Sequence, residues 1–156
     1  EKQARASAAR VIAYLLHADA APRVNGEPGS HETESQALSA AAVTMVSESC
    51  GKPDPVTAVR PSGSSEAVAN FRAAAKEAGL STGGGPSIAF VSSRSAYADI
   101  VVATDRPYAL VNSSAPTKVA LYGTGLPAMR ALVAVLTDKA EARGRLPVDG
   151  IDVKAC

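Results

Sequence analysis

Ala115-Pro-Thr-Lys-Val-Ala-Leu-Tyr-Gly-Thr-Gly-Leu-Pro-Ala-Met-Arg-Ala-Leu-Val-Ala-Val-Leu-Thr-Asp-Lys-Ala-Glu-Ala-Arg-Gly-Arg-Leu-Pro-Val148 reads as the end of an α/β unit. Lys118 to Tyr122 is a short apolar strand. Gly123-Thr-Gly125 turns the chain. Leu126, Met129, Leu132, Val133 and Leu136 then recur at three- and four-residue spacings, which predicts a helix from Leu126 to Thr137 with one apolar face. Pro127 fits in the first turn of that helix, where its missing N–H has no intrahelical partner to lose.

Upstream the same alternation repeats. Ala41-Ala-Val-Thr-Met-Val-Ser47 is almost continuously apolar and β-rich, the profile of a buried parallel strand. Val56 to Arg60, Ser87 to Val91 and Asp99 to Thr104 are further strands. Helices are predicted from His31, capped by Ser30, to about Ala40, and from Ser62-Gly-Ser-Ser-Glu66 to the stop at Gly79. The second of these carries Val68, Phe71, Ala75 and Ala78 on one face. Pro107 to Val111 is a short helix, and Ile151-Asp-Val153 adds an edge strand. Strands alternating with helices predict an α/β three-layer sandwich, with a mostly parallel five- or six-stranded sheet and helices on both faces.

The start of the chain is different. Residues 1–20 read as one leading helix, with Ala8, Val11, Ile12, Leu15 and Leu16 on one side. Residues 21–29 hold two prolines and two glycines and read as a linker. The sandwich then occupies 30–156, and the leading helix is expected to pack on something other than this core.

Composition removes several functions. Sixteen basic and fifteen acidic residues give a net charge of +1. The basic residues form no cluster, which argues against nucleic acid. No apolar run approaches the ~20 residues of a membrane span. Cys50 and Cys156 are too few to hold zinc by themselves, and His17 and His31 lie at no ligand spacing, so neither metal nor cofactor is expected. The two thiols are either unrelated or one disulfide. A bridge would close a loop of roughly 105 residues and stabilise by about 4–5 kcal/mol in the chain-entropy model. It would also place the chain in an oxidising setting, secreted or at the cell surface.

In such folds ligands collect beyond the carboxyl ends of the strands. Ser92-Ser-Arg94, Thr104-Asp-Arg106 and Gly123-Thr-Gly125 belong there. Arg94, Asp105, Arg106 and Thr124 are therefore the candidate substrate-binding side chains, with ordinary loop ends and helix caps as the alternative reading. Gly123-Thr-Gly125 lacks the following strand and terminal acid of a dinucleotide site. Thr82-Gly-Gly-Gly-Pro86 has no Lys-Ser/Thr after it and reads as a turn. Glycoside hydrolysis wants two carboxylates flanking one bond. Asp99 and Asp105 bracket a strand and should lie roughly 15–20 Å apart at ~3.3 Å per residue. No catalytic residue is assigned.

Thr117 to Gly123, the Pro127 to Thr137 helix and Gly144-Arg-Leu-Pro-Val148 together resemble the closing section of the second domain of glycoside hydrolase family 3, nearest to bacterial β-N-acetylhexosaminidases. Asp99 to Leu110 is similar to the preceding strand and Pro-Tyr turn. Glu34 to Ser47 is similar to the first helix and strand. Ala8 to Tyr14 resembles the helix that leaves the first domain. The resemblance implies an α/β sandwich beside a catalytic (β/α)8 barrel, contacted through Val11, Leu15 and Leu16 of the leading helix. It also implies that the nucleophilic Asp and the Asp-His acid/base pair belong to the barrel. The expectation is a non-catalytic domain of an enzyme that hydrolyses O-glycosyl bonds. A stand-alone module binding amino sugars or muropeptides is the alternative.

Overall fold

The computed structural model describes residues 2–20, 27, 29–46 and 54–147. They form two compact units that part between Ser30 and His31. The first unit holds one helix, α1 (Lys2–Ala20). Its apolar residues Val11, Ile12, Leu15 and Leu16 are all exposed. Cys50, Cys156, Val148 and the expected edge strand at Ile151–Val153 lie outside the described residues.

The second unit is built on a five-stranded sheet: β1 (Thr44–Val46), β2 (Arg60–Ser62), β3 (Ser87–Val91), β4 (Ile100–Ala103) and β5 (Thr117–Ala120). The order across it is β1-β5-β4-β3-β2. Strands β2 to β5 are parallel, with Ile88 opposite Ile100 and Val102 opposite Val119. β1 corrects the expectation of a parallel strand: it lies at the edge and runs antiparallel to β5, with Thr44 opposite Ala120. Hydropathy reports burial, and Val43, Thr44 and Val46 are buried. It carries no information about direction.

One face of the sheet is covered by α3 (Ser65–Ala78) and α4 (Leu126–Leu136), with α2 (Glu32–Ala42) packed against α4. Its core combines Phe71, Met129, Leu132 and Leu136 from the helices with Ile88, Phe90, Val102 and Val119 from the strands. The Ser64 hydroxyl accepts the N–H of Ala67 and so caps α3, and Gly79 ends that helix with φ +77°. The cap of α2 is His31, one residue later than expected, and its side chain accepts no capping bond. The opposite face has a thinner layer. A four-residue 3₁₀ helix, Pro107–Leu110, places Ala109 and Leu110 against Val91, Val101, Ala103 and Ala120.

The two faces have a topological consequence. The β2→β3 connection crosses one face through α3, and the β4→β5 connection crosses the other through the 3₁₀ helix. Both step across the sheet in the same direction, so the crossovers have opposite hands. One of them departs from the right-handed rule.

On the surface Arg130 ties the helices together. Its Nη1 donates to Glu32 Oε1 (2.7 Å), while Nε and Nη2 donate to the two carboxylate oxygens of Glu77 (2.7 and 3.0 Å). The guanidinium holds the Glu77 carboxyl below its usual range. At the amino end of β3, Asp99 Oδ2 accepts both the Ser87 N–H and its hydroxyl (2.7 Å each), and Asp99 N–H donates back to Ser87 Oγ (3.0 Å). The Ser87 hydroxyl, and next the Ser87 N–H, hold the Asp99 carboxyl below its ordinary value of 3.8. A depressed folded-state value stabilises above the ordinary value and loses that contribution as the pH falls through the folded one. Asp99→Asn should therefore lower the urea midpoint at neutral pH. The gap from wild type should close as the pH falls below 3.8, and a gap that persists there would contradict the assignment.

Candidate functional site

Because β2 to β5 are parallel, their carboxyl ends share one edge of the sheet. The loops expected at that rim are there, and Thr104, Asp105, Arg106 and Thr124 each already have a partner within the fold. Thr104 is buried and its hydroxyl donates to the Val91 carbonyl at 3.2 Å, so it locks β4 to β3. Asp105 and Arg106 pair with each other, Oδ2 to Nε at 3.3 Å, and both are exposed. Arg94 is exposed in the loop after β3.

Thr124 has a different task. Its hydroxyl donates to Glu66 Oε1 (2.9 Å), and its carbonyl accepts from Asn70 Nδ2 (2.9 Å). Glu66 and Asn70 belong to the first turns of α3, so Thr124 fastens that helix to the turn before α4. Glu66 also lies at the positive end of the α3 dipole, where a carboxylate is favoured. The rim therefore holds two separate pairs, Asp105–Arg106 and Glu66–Thr124. Glu66 and Asn70 were not singled out from the sequence, because nothing local links them to a residue more than fifty positions away.

A hollow lies beside this rim. It encloses about 580 Å³ between α2, the end of β5, the first turn of α4 and residues 144–147. Leu38, Tyr122, Pro127 and Gly144 are among its walls, which are mostly apolar. Gly144 makes this shape possible. Its N–H donates to the Val43 carbonyl at 2.8 Å. A Cβ there would stand 2.7 Å from that same oxygen and nearer still to Thr44 Oγ1.

Tyr122 enters the hollow from an unusual backbone, with φ +61°. Its hydroxyl is buried without a hydrogen-bond partner among the described residues. Burial pushes this phenol up. The neighbouring Thr44 hydroxyl opposes that effect, although its own proton goes to the Ala42 carbonyl at 3.0 Å. The Gly125 cap of α4 offers no side chain to the first N–H groups of the helix, and no acidic residue stands in that turn. A small body with an apolar side and one polar end suits the space. The Gly144-Arg-Leu-Pro147 segment stands out in the sequence for its resemblance and not as a wall of a hollow, and the φ of Tyr122 has no sequence signal. Among the described residues no group of His, Cys, Asp and Glu could hold a metal ion, and no helix is long and apolar enough to cross a membrane.

No protein-family model and no curated protein matches the chain. Solved structures do resemble it. A fungal multi-domain GH3 β-N-acetylglucosaminidase with a GCN5-related glucosamine N-acetyltransferase region superposes with a TM-score of 0.58 at 18% identity, over 81% of this chain and 20% of that one. The β-glucoside phosphorylase BglX gives 0.58 at 16% identity, over 77% of this chain and 32% of that one. A glycoside hydrolase family 3 β-N-acetylglucosaminidase from Paenibacillus sp. str. FPU-7 gives 0.54 at 21% identity, over 94% of this chain and 39% of that one. The chain thus shares its fold with part of each, and spans between 20% and 39% of their lengths.

Proposed function

We propose that this chain is a non-catalytic α/β domain of a glycoside hydrolase family 3 enzyme, packed beside a catalytic barrel. The enzyme would hydrolyse O-glycosyl bonds of β-N-acetylhexosaminides in carbohydrate or peptidoglycan metabolism. The observation that carries the reading is the recurrence of this fold as a minor part of three longer chains, all of them glycoside-processing proteins by description.

The rim chemistry supports it. The Glu66 carboxylate accepts a hydroxyl proton from Thr124, and Asp105 is paired with Arg106. A hydrolase that works alone needs a proton donor and a second carboxylate on opposite sides of one bond. In this reading both come from the barrel. The leading helix supports it too: Val11 and Leu15 are each 58% exposed and Leu16 is 68% exposed, a stripe suited to another domain. We place the enzyme outside the cytoplasm, on the strength of the two cysteines. A mass measured before and after reduction tests their pairing.

The chain alone is expected to show no turnover of chromogenic N-acetyl-β-glucosaminides, while the polypeptide that includes the barrel hydrolyses them. Turnover by the chain alone, abolished in Glu66→Gln or Asp105→Asn, would overturn the reading.

A further inference from the structure

Three asparagines occur in the chain, and one of them opens an Asn-x-Ser/Thr tripeptide. Asn25 is followed by Gly-Glu and Asn70 by Phe-Arg. Asn112 is followed by Ser113 and Ser114, with no proline between the amide and the second hydroxyl. This is the acceptor pattern for N-linked oligosaccharides, and it carries weight only where the fold presents it at the surface.

The fold does so. Asn112 and Ser114 are exposed, while Ser113 between them is buried. That inward residue is held on both sides: its N–H donates to the Leu110 carbonyl (3.1 Å), and its Oγ accepts from the Ala115 N–H (3.2 Å). Leu110 and Ala115 are themselves buried in the thin layer. The two residues that the pattern needs are thus the two that the turn leaves outside. A bulky hydrophilic sugar attached at Asn112 stays on the surface and meets no part of the core. Asn70 is the opposite case, since its Nδ2 is spent on the Thr124 carbonyl at 2.9 Å.

A second feature of the same turn suits such a group. Tyr108 and Val111 precede Asn112 by four residues and by one, and are 57% and 36% exposed. They stand three apart, a spacing that brings side chains to one side of a 3₁₀ turn. The first sugar on Asn112 would bring the apolar C–H face of its ring beside this pair.

We infer that Asn112 is an N-glycosylation site of the secreted enzyme. This rests on the location outside the cytoplasm proposed above. The Asn112 amide nitrogen loses one proton and forms a bond to C1 of an oligosaccharide carried on a polyprenyl diphosphate. The bond from C1 to the phosphate oxygen breaks, its electron pair leaves with the lipid diphosphate, and the proton passes to solvent. The Ser114 hydroxyl completes the pattern and is not itself modified.

The test uses the polypeptide that contains this chain, recovered outside its source cells. The peptide holding Asn112 is weighed before and after treatment with a peptide N-glycosidase. It should be heavier by a whole oligosaccharide, which the enzyme removes while converting the asparagine to aspartate. Asn112→Gln and Ser114→Ala should each abolish the added mass, and Ser114→Thr, which keeps the hydroxyl, should retain it. All three changes fall on exposed side chains, so the fold should tolerate them. An unmodified Asn112 in the extracellular protein would overturn the inference and leave the location standing. An oligosaccharide that persists in Asn112→Gln belongs to another residue and overturns it as well. Protein retained in the cytoplasm with Asn112 unmodified would overturn the inference and the location together.

Discussion

Phe71→Ala is expected to remove about 3–5 kcal/mol of stability from the second unit, the range for losing a buried aromatic side chain from a core. Phe71 is fully buried on α3, and its ring centroid lies 5.2 Å from that of Phe90 at a tilt of 54°. These are the only two phenylalanines in a chain without tryptophan. Their neighbours on this face are mainly Ala, Val and Leu. Ala67, Ala74 and Ala75 flank Phe71 on α3 and are too short to collapse into the space it would leave. The cavity term should therefore be near its full size, because packing at interior density leaves little to relax. Domains of this size are stable by about 5–15 kcal/mol, so a large share of the total is at stake. The melting temperature should fall by roughly 10 °C or more. Phe71→Leu, which keeps most of the volume, should cost less than half as much. Urea unfolding with an unchanged slope checks both variants. A loss for Phe71→Ala below about 1 kcal/mol would show that the two rings do not form the centre of this core.

Local pattern and long-range pairing were not equally legible. The α4 stripe, the Gly79 stop and strands β3 to β5 follow from spacing and capping chemistry, and the structure places them within a residue or two of expectation. Strand β2 is a different matter. Val56 to Arg60 reads as a strand, yet the ladder with β3 runs from Arg60 to Ser62. The backbone groups of Thr57 and Val59 are used elsewhere: Val59 N–H donates to the Ser81 carbonyl (2.9 Å), and Ser81 N–H donates to that of Thr57 (3.1 Å). The segment is extended but pairs with the loop after α3. Pro61 within the strand is tolerated because β2 is an edge. At the candidate site the residue types were readable and their partners were not. Thr124 stood out as a rim hydroxyl, and only the fold shows that Glu66 and Asn70 claim it. The opposite hands of two crossovers were equally out of reach, since a stretch too short for a long helix does not disclose which face it crosses.

The Thr82-Gly-Gly-Gly-Pro86 turn gives the second large effect, and it should fall on one glycine of the three. Gly83 and Gly84 have neither a left-handed φ nor any atom within 4 Å of a would-be Cβ. Alanine at either position narrows the unfolded ensemble without meeting anything, and should be neutral or stabilising by up to about 1 kcal/mol. Gly85 differs on two independent counts. Its φ is +74°, which costs an L side chain roughly 1–2 kcal/mol. A Cβ there would also stand 2.7 Å from the Ala58 carbonyl carbon and nearer still to its oxygen. That oxygen belongs to the backbone and cannot rotate aside as a side chain would. Ala58 is further held by its bridge to Ser81, and Arg60 N–H donates to the Pro86 carbonyl at 2.9 Å. The turn is thus pinned to the edge of the sheet on both sides of the contact. Overpacking of this kind adds about 1–3 kcal/mol, so Gly85→Ala should cost about 2–5 kcal/mol in all. Urea midpoints of the three single variants, measured side by side, decide the matter. Equal midpoints would mean that the turn yields as a whole and that close approach to Ala58 does not hold β2 in register. A midpoint lowered by Gly85→Ala alone would show that the edge of the sheet is fixed by one backbone contact that no side chain makes.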